Sequence, residues 1–422
     1  MPRIALHWQI LAALGLGVLA GALTGPRTAW LGVPLVEVYA FAGTLFLNAL
    51  KMLIVPLIMA SIVTGVAGLG RSEALGRLGM RTLVYYLTTS LLAILTGLVL
   101  VDLVQPGLAG GHPVRDLLGL ARLPESRLER IAGHGAGDLV EIFLRMVPTN
   151  IVQAAAQGQM LGLIFFSLLF GFFLTRIEPP QRETLDRFWQ GVFQVMMRMT
   201  DIVLRFAPLG VFGLVAKTVA TTGFGAFAPL MRFFLTVVAA LAVHFLVTLP
   251  LLLRLVGRVS PWRHYRAMLP ALLTAFSTAS SSATLPVTME CVEKKAGVSN
   301  RTTSFVLPLG ATVNMDGTAL YECVAALFIA QAYGVELGPA QQFIVVLTAL
   351  LTSIGVAGIP AASLVAITII LGAVGLPAEA IGLILAVDRL LDMMRTSVNV
   401  FSDSCGAVII GRLEGERGIL EA

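Results

Sequence analysis

Long apolar runs recur along this chain, at residues 10–25, 84–101, 161–174, 233–253, 323–330 and 343–351. The longest match the roughly 20 residues that an α-helix needs to cross a hydrocarbon core. Hydrophobic residues make up 57% of the chain and charged residues 13%. An ordinary soluble domain is about 45–50% apolar and about 25% charged. With so little charge a soluble fold could not cover its own surface, so most of this surface faces lipid. The fold class that follows is an all-α polytopic membrane protein.

The net charge of +5 does not imply a nucleic-acid partner, because the basic residues are spread over short loops. Arg71, Arg77 and Arg81 lie just before the run 84–101, between the second and third helices. Arg254, Arg258, Arg263 and Arg266 follow the run 233–253, which ends the sixth helix, with Lys294, Lys295 and Arg301 soon after. Alternate loops, 218–227 and 334–342, carry no Lys or Arg. This alternation is the positive-inside bias and places the basic loops and both termini in the cytoplasm. The first apolar run follows Arg3 and is read as a retained span, because more hydrophobic helix comes after it. Cys291, Cys323 and Cys405 are widely separated and imply neither a disulfide framework nor a metal site.

Residues 4–256 read as six long helices with few intramembrane charges. The polar stretch 105–138 lies outside on the charge alternation. Tyr86, Thr89 and Ser90 place hydroxyls on one side of the third helix, and Lys51 interrupts an apolar stretch before Pro56, the usual sign of snorkelling to an interface. Beyond residue 262 the pattern changes. Two apolar segments are broken by small and hydroxylated residues plus proline, at 276–286 and at 353–363. Pro286 precedes Asp316 by 30 residues and Pro360 precedes Asp392 by 32. Paired, interrupted segments in matching positions point to inverted repeats with a site near mid-membrane. Irregular backbone survives at that depth only under protein or a watery cavity. Both segments are therefore read as re-entrant hairpins whose tips meet.

The closing helix carries the densest chemistry: Asp388, Asp392, Arg395, Thr396, Asn399 and Asp403. On a helix these six fall within an arc of about 100°. Leu390, Leu391, Met394 and Val398 occupy the other face. One charged side chain at the bilayer centre costs about 2.5–3.5 kcal/mol or more, so the stripe must line a cavity and meet partners. A purely structural ion-pair network would balance its charge. This stripe has excess acid even before Asp316 and Glu322 of the preceding helix are added. A cation must come from elsewhere, and sodium is the simplest. Hard cations take oxygen ligands, which Asn314, Asp316, Asn399, Asp403, Tyr86, Thr89 and Ser90 can supply. Gly317, in mid-helix, suggests local unwinding that frees carbonyls as further ligands.

The run 307–321 (LPLGATVNMDGTALY), the serine-rich hairpin, and Asp392-x-x-Arg395-Thr396-x-x-Asn399 together resemble the dicarboxylate/amino acid:cation symporter family, with the archaeal aspartate transporters and mammalian excitatory amino acid transporters among its members. The likeness extends to Met146-Val-Pro-Thr-Asn150 in the fourth helix. It implies eight transmembrane helices plus two re-entrant hairpins, assembled as a homotrimer in the cell membrane. A scaffold would span about 4–67 and 139–216, and a transport part, about 80–103 and 226–412, would slide as an elevator with the second hairpin as gate. It also implies roles for residues. Ser281 and the backbone around Ile359–Ser363 would hold the main carboxylate of the substrate. Asp392 would take its ammonium and Arg395 its side-chain carboxylate, with Thr318, Thr396 and Asn399 completing the cage. One sodium would sit among Gly310, Asn314, Asn399 and Asp403, and a second among Tyr86, Thr89, Ser90, Asn314 and Asp316. A third would lie on carbonyls of Thr312, Ser353, Ile354 and Val356. No other cofactor is implied.

Side-chain chemistry supports an acidic amino acid as substrate. Arginine offers a rigid fork that grips a carboxylate with two parallel bonds, and Asp392 suits an ammonium group. The rival on the same fold is a C4-dicarboxylate:cation symporter. Glu322 matches the position that mammalian glutamate carriers use for proton coupling, so a proton is expected to travel with the substrate and potassium to return. Three positions depart from the family pattern. Ala279 stands where archaeal members have arginine, and Met393 where mammalian members have it, with Arg389 one turn earlier as a substitute. The second hairpin, at 361–363, is poorer in glycine. An enzyme is not expected: Ser280, Ser281 and Ser282 have no histidine after them, and His264 is read as part of a basic loop. A channel would not need a cage matched to ammonium and carboxylate together.

Overall fold

The computed structural model describes residues 6–26, 28–30, 32–69, 76–118, 120, 144, 147–157, 159–355, 362–377 and 380–420. These are mostly helical. The first helices are α1 (Leu6–Thr24), α2 (Leu35–Leu69) and α3 (Gly76–Val104). Next come α4 (Ile151–Ala156), α5 (Met160–Leu174), α6 (Pro179–Arg205) and α7 (Ala207–Thr222). Two-residue antiparallel ribbons, Ala29–Trp30 with Val33–Pro34 and Leu108–Ala109 with His112–Pro113, close the turns after α1 and α3. Helix α8 (Phe227–Val243) continues through a π turn at His244–Thr248 into α9 (Leu249–Leu255). The cause is local: Pro250 has no N–H to return to the previous turn, and the wider turn absorbs the missing bond.

The expectation of six long helices before residue 256 needs correction in two places. Val147–Asn150 is not helical, and the Asn150 carboxamide instead caps α4 by accepting from the Val152 and Gln153 N–H groups at 2.9 and 3.1 Å. Helices α6 and α7 meet at a bend of 51°, where Pro208 follows the break. The side chain of Lys51 lies outside the described residues.

The later part consists of α10 (Pro261–Thr278), α11 (Ser281–Glu290), α12 (Asn300–Val313), α13 (Asp316–Tyr333), α14 (Pro339–Gly355), α15 (Ala362–Ala373) and α16 (Ile381–Leu413). The first interrupted segment breaks at Ala279, in left-handed backbone (φ 48°, ψ 41°), and at Ser280, whose hydroxyl accepts from the Ala283 N–H and starts α11. The second break falls between α14 and α15. Its tip at 356–361, with Ile359 and Val356, lies outside the described residues, as does any meeting of the two tips.

Among the described residues, three stretches have the length and hydropathy of membrane spans: 77–104, 227–255 and 300–333. An 18-residue stretch within the last is wholly buried, so other helices shield that part from lipid. Helices α1 and α2 pack on α7, and α2 also on α5 and α6. Helix α13 is surrounded by α3, α8, α14, α15 and α16. Helix α16 lies against α8, α10, α12 and α13. Two helix groups thus share one membrane-type protein, with the polar sequence motifs concentrated in the second.

Candidate functional site

The stripe on α16 faces inward: Arg395, Thr396, Asn399 and Asp403 are all buried. Phe401 fixes the neighbouring register. Its ring stacks on Tyr265 (4.5 Å between centroids) and touches Phe245 and His264. Such aromatic pairs contribute about 0.5–1.5 kcal/mol each beyond area burial.

At the Asp388 end, charges are paired. Arg395 Nη1 donates to Asp388 Oδ1 at 3.0 Å and Nη2 to Asp392 Oδ1 at 2.9 Å. Its guanidinium lies 4.0 Å from the centre of the Tyr321 ring, a cation–π contact that holds the plane of the fork. Arg389 Nη1 donates to the other oxygen, Asp392 Oδ2, at 3.2 Å. Thr396, one turn on, returns its hydroxyl to the Asp392 carbonyl (2.8 Å).

At the Asp403 end, acids meet neutral donors. Helix α12 ends at Val313 and α13 begins at Asp316, with Asn314 and Met315 in non-helical backbone between them. The expected unwinding is therefore present, but two residues before Gly317, which is already helical. Gly317 is needed for close approach: a Cβ there would meet the Arg395 carbonyl oxygen at 2.8 Å. Its N–H donates to Asn399 Oδ1 (2.8 Å), and Asn399 Nδ2 donates to the Thr318 hydroxyl (3.2 Å). Asn314 Nδ2 donates to Asp403 Oδ1 at 2.9 Å and to Ser402 Oγ at 3.1 Å. Ser90 Oγ donates to Asp316 Oδ1 (2.8 Å), and Ser402 Oγ to Asp316 Oδ2 (2.6 Å). Gly310 closes this nest. A Cβ there would lie 2.5 Å from both Asp403 Oδ1 and the Tyr86 hydroxyl, so any side chain would expel one of them.

The sequence-selected residues thus fall into several groupings. Tyr86, Ser90, Gly310, Asn314, Asp316, Asn399 and Asp403 form one continuous oxygen-rich nest. The Tyr86 hydroxyl donates to the Val306 carbonyl (2.7 Å), and Thr89 turns its hydroxyl back onto the Tyr86 carbonyl (3.2 Å). Thr312 has an exposed side chain bonded to its own helix. It ends α12, which packs on α14, where Ser353 is buried in the last turn beside Ile354. Ser281 opens α11 and Ser363 is buried at the start of α15. Glu322, also buried, accepts from Thr352 Oγ1 at 3.0 Å.

One expectation is overturned. His264 is not in a basic loop: it sits in the first turn of α10, fully buried, with Nε2 2.9 Å from Ser404 Oγ. It stands at the opposite end of α10 from Ser280–Ser282, with most of the helix Pro261–Thr278 between them, roughly 20 Å at about 1.5 Å per residue. Sequence reading also missed His244, Ser402, Tyr321 and Thr352. His244 Nε2 stands 3.1 Å from Asp316 Oδ2, with both side chains wholly buried. Its signal was a lone histidine in a long apolar run six residues before Pro250. Ser402 was legible as the position three residues after Asn399.

A buried stripe of acids, amides and hydroxyls beside a carboxylate-gripping arginine, on broken helices in a membrane protein, defines an ion-coupled carrier of a charged solute. The sequence profile of the sodium:dicarboxylate symporter family matches residues 6–413, and the chain belongs to that family. It is 38% identical to the proton/glutamate-aspartate symporter of Escherichia coli (strain K12), over 98% of this chain and 93% of that protein. It is 36% identical to the proton/sodium-glutamate symport protein of Geobacillus stearothermophilus (99% and 96%). To excitatory amino acid transporter 3 of Mus musculus it is also 36% identical (96% and 86%).

Proposed function

We propose that this chain is a secondary active symporter that couples sodium influx to uptake of aspartate or glutamate. The observation that carries the reading is the division of the α16 stripe into a guanidinium end and an acid-rich end whose described partners are hydroxyls, a carboxamide and one histidine. The Arg395 fork takes the side-chain carboxylate and Asp392 the ammonium. Thr318, Thr396 and Asn399 line the space between, and Ser281, Ile359 and Ser363 on the hairpins receive the main carboxylate. Sodium ions, as co-substrates, fit the nest of Asp316, Asp403, Asn314, Asn399, Ser90, Tyr86 and Thr89. Among the described residues these two carboxylates meet hydroxyls, a carboxamide and the His244 ring, a shell of oxygen-rich partners that a hard cation can complete. Carbonyls of Gly310, Thr312, Ser353, Ile354 and Val356 supplement them. Glu322 carries the coupled proton, since an unpaired carboxylate at membrane depth is costly to ionise.

The same reading makes the protein a multi-pass cell-membrane trimer of eight spanning helices and two re-entrant hairpins, with both termini cytoplasmic. The packing of α1 and α2 chiefly on α7, and of α13 chiefly on α3 and α14–α16, supports a scaffold moving against a transport part in an elevator motion. The names of the relatives do not favour the C4-dicarboxylate alternative. Uptake of radiolabelled aspartate into proteoliposomes, with sodium, proton and potassium gradients imposed separately, tests the reading. Sodium-driven accumulation that glutamate competes away is expected. Accumulation indifferent to sodium, or succinate competing as well as aspartate, would overturn it.

A further inference from the structure

Asp392 carries two guanidinium groups, one on each oxygen: Arg395 on Oδ1 and Arg389 on Oδ2. The two cations are held differently. Arg395 is 1% exposed and gripped by Asp388, Asp392 and the Tyr321 ring. Arg389 is 25% exposed and sits with Asp392, itself 30% exposed, at the accessible edge of the cluster. Among the described residues, Arg389 Nε and Arg395 Nε are alike in being buried without a hydrogen-bond partner, so the difference between the two lies in exposure and in the number of groups that grip each. Of the two, Arg389 is the one that can leave at small cost.

We propose that Arg389 occupies, on Asp392, the seat of the substrate's ammonium group, and thereby sets the selectivity between amino acids and dicarboxylates lacking an amino group. The inference rests on the reading of Asp392 as ammonium partner. With no amino acid bound, Arg389, Arg395, Asp388 and Asp392 form a neutral set of two cations and two anions. An arriving amino acid brings its own cation. The ammonium replaces Nη1 on Oδ2, Arg389 turns to the watery edge, and the charge beside Asp392 is unchanged. A C4 dicarboxylate brings no cation, but Arg389 can stay, so Asp392 remains paired and the acid is tolerated. A neutral residue at 389 weakens that tolerance: Asp392 would keep only Arg395, which the dianion needs for its own carboxylate, so the dianion would meet a carboxylate stripped of one of its two cations, which specificity by charge repulsion penalises. The amino acid, meanwhile, no longer has to displace a guanidinium.

The test uses the full chain in proteoliposomes under a sodium gradient, comparing wild type with Arg389→Gln, Arg389→Lys and Asp392→Asn. The KM for L-aspartate and the inhibition constant of succinate are read for each. In Arg389→Gln the ratio of succinate inhibition constant to aspartate KM should rise about tenfold or more, with Arg389→Lys close to wild type. If Arg389→Gln is not recovered folded, Arg389→Met is read by the same ratio. An unchanged ratio, together with loss of aspartate uptake in Asp392→Asn, overturns the role of Arg389 and leaves the binding reading standing. Normal aspartate KM in Asp392→Asn would instead overturn the ammonium assignment on which both depend.

Discussion

The two ends of the α16 stripe solve the same problem in opposite ways. Around Asp388 and Asp392, half-buried negative charge is matched by guanidinium groups within 3.2 Å. Around Asp316 and Asp403, within the same enclosed core, the described partners are hydroxyls, a carboxamide and one histidine. Neutral donors soften the desolvation of a carboxylate but do not cancel its charge. The difference teaches that the Asp388 end is self-sufficient until a charged solute competes for it, whereas the Asp316 end is built to be completed by a cation from solution. Coupling follows from proximity. Asn399 hydrogen-bonds the Gly317 N–H and the Thr318 hydroxyl, so it lies between the two ends and touches the backbone break.

The comparison is broken most severely by neutralising the acid-rich end. Asp316→Asn keeps the size of the side chain but removes charge from a position fully buried beside Ser90, Ser402 and His244. Sodium-driven aspartate uptake should fall by about two orders of magnitude, because a coordinating charge is lost in a low-dielectric site. Protein level and detergent size-exclusion profile should stay near wild type. Uptake within threefold of wild type would mean that this end is structural. At the other end, Arg395→Lys keeps the charge but loses the fork and the plane over Tyr321. A point charge cannot hold two carboxylates in parallel. The KM for aspartate should rise by about 10- to 100-fold, with the sodium dependence of uptake little altered. A shifted sodium dependence with unchanged KM would contradict the division between the ends.

A smaller effect is expected at Glu322, which belongs to neither end and has the Thr352 hydroxyl as its described partner. Glu322→Gln preserves that hydrogen bond while removing the group that exchanges a proton. Uptake between pH 5.5 and 8 should flatten to a variation of about twofold or less, with uptake at the optimum retained. A pH profile like that of wild type would assign Glu322 to packing alone.

How much of this was legible in the sequence differs by scale. The stripe was legible because helical periodicity is local: six polar residues at those spacings must share a face. The break before Asp316 was legible only approximately. Gly317 drew attention as a helix breaker, but its bare Cα serves the approach of the Arg395 backbone, and the chain unwinds at Asn314–Met315 instead. What pairs across 70 residues was not legible. Nothing local links His244 to Asp316, since the π turn that Pro250 forces aims that histidine. His264 shows the same blindness: flanked by Arg263 and Arg266 it looks like a cytoplasmic loop, yet the first turn of α10 carries it inward to Ser404.

The gentlest test of the comparison is at the C-terminal tail, where Glu416 repeats the donor chemistry of Asp316 near water. Its carboxylate accepts from the Ser299 N–H (2.8 Å), the Ser299 hydroxyl (2.6 Å) and the Thr302 hydroxyl (2.5 Å). It thereby docks the tail, where the Leu420 N–H also donates to the Ala296 carbonyl at 2.9 Å. Partial burial would raise this carboxyl, but the hydrogen bonds from Ser299 and Thr302, with Arg301 nearby, hold it below the usual glutamate range. A carboxyl depressed on docking stabilises the docked tail above the undocked glutamate value of about 4.3, and the contribution disappears as pH falls through the lower docked value. Protection of the Leu420 amide from hydrogen exchange, corrected for the intrinsic rate, should therefore be flat from pH 7 to 5. At pH 7, Glu416→Gln should lower it by less than about tenfold, the weight of hydrogen bonds to one charged acceptor near water. If protection already fell between pH 7 and 5, neutral donors would have failed to stabilise a carboxylate even beside water. The nest around Asp316 and Asp403 would then need a charged partner in every state of the carrier, and the contrast between the two ends would become one of partner mobility.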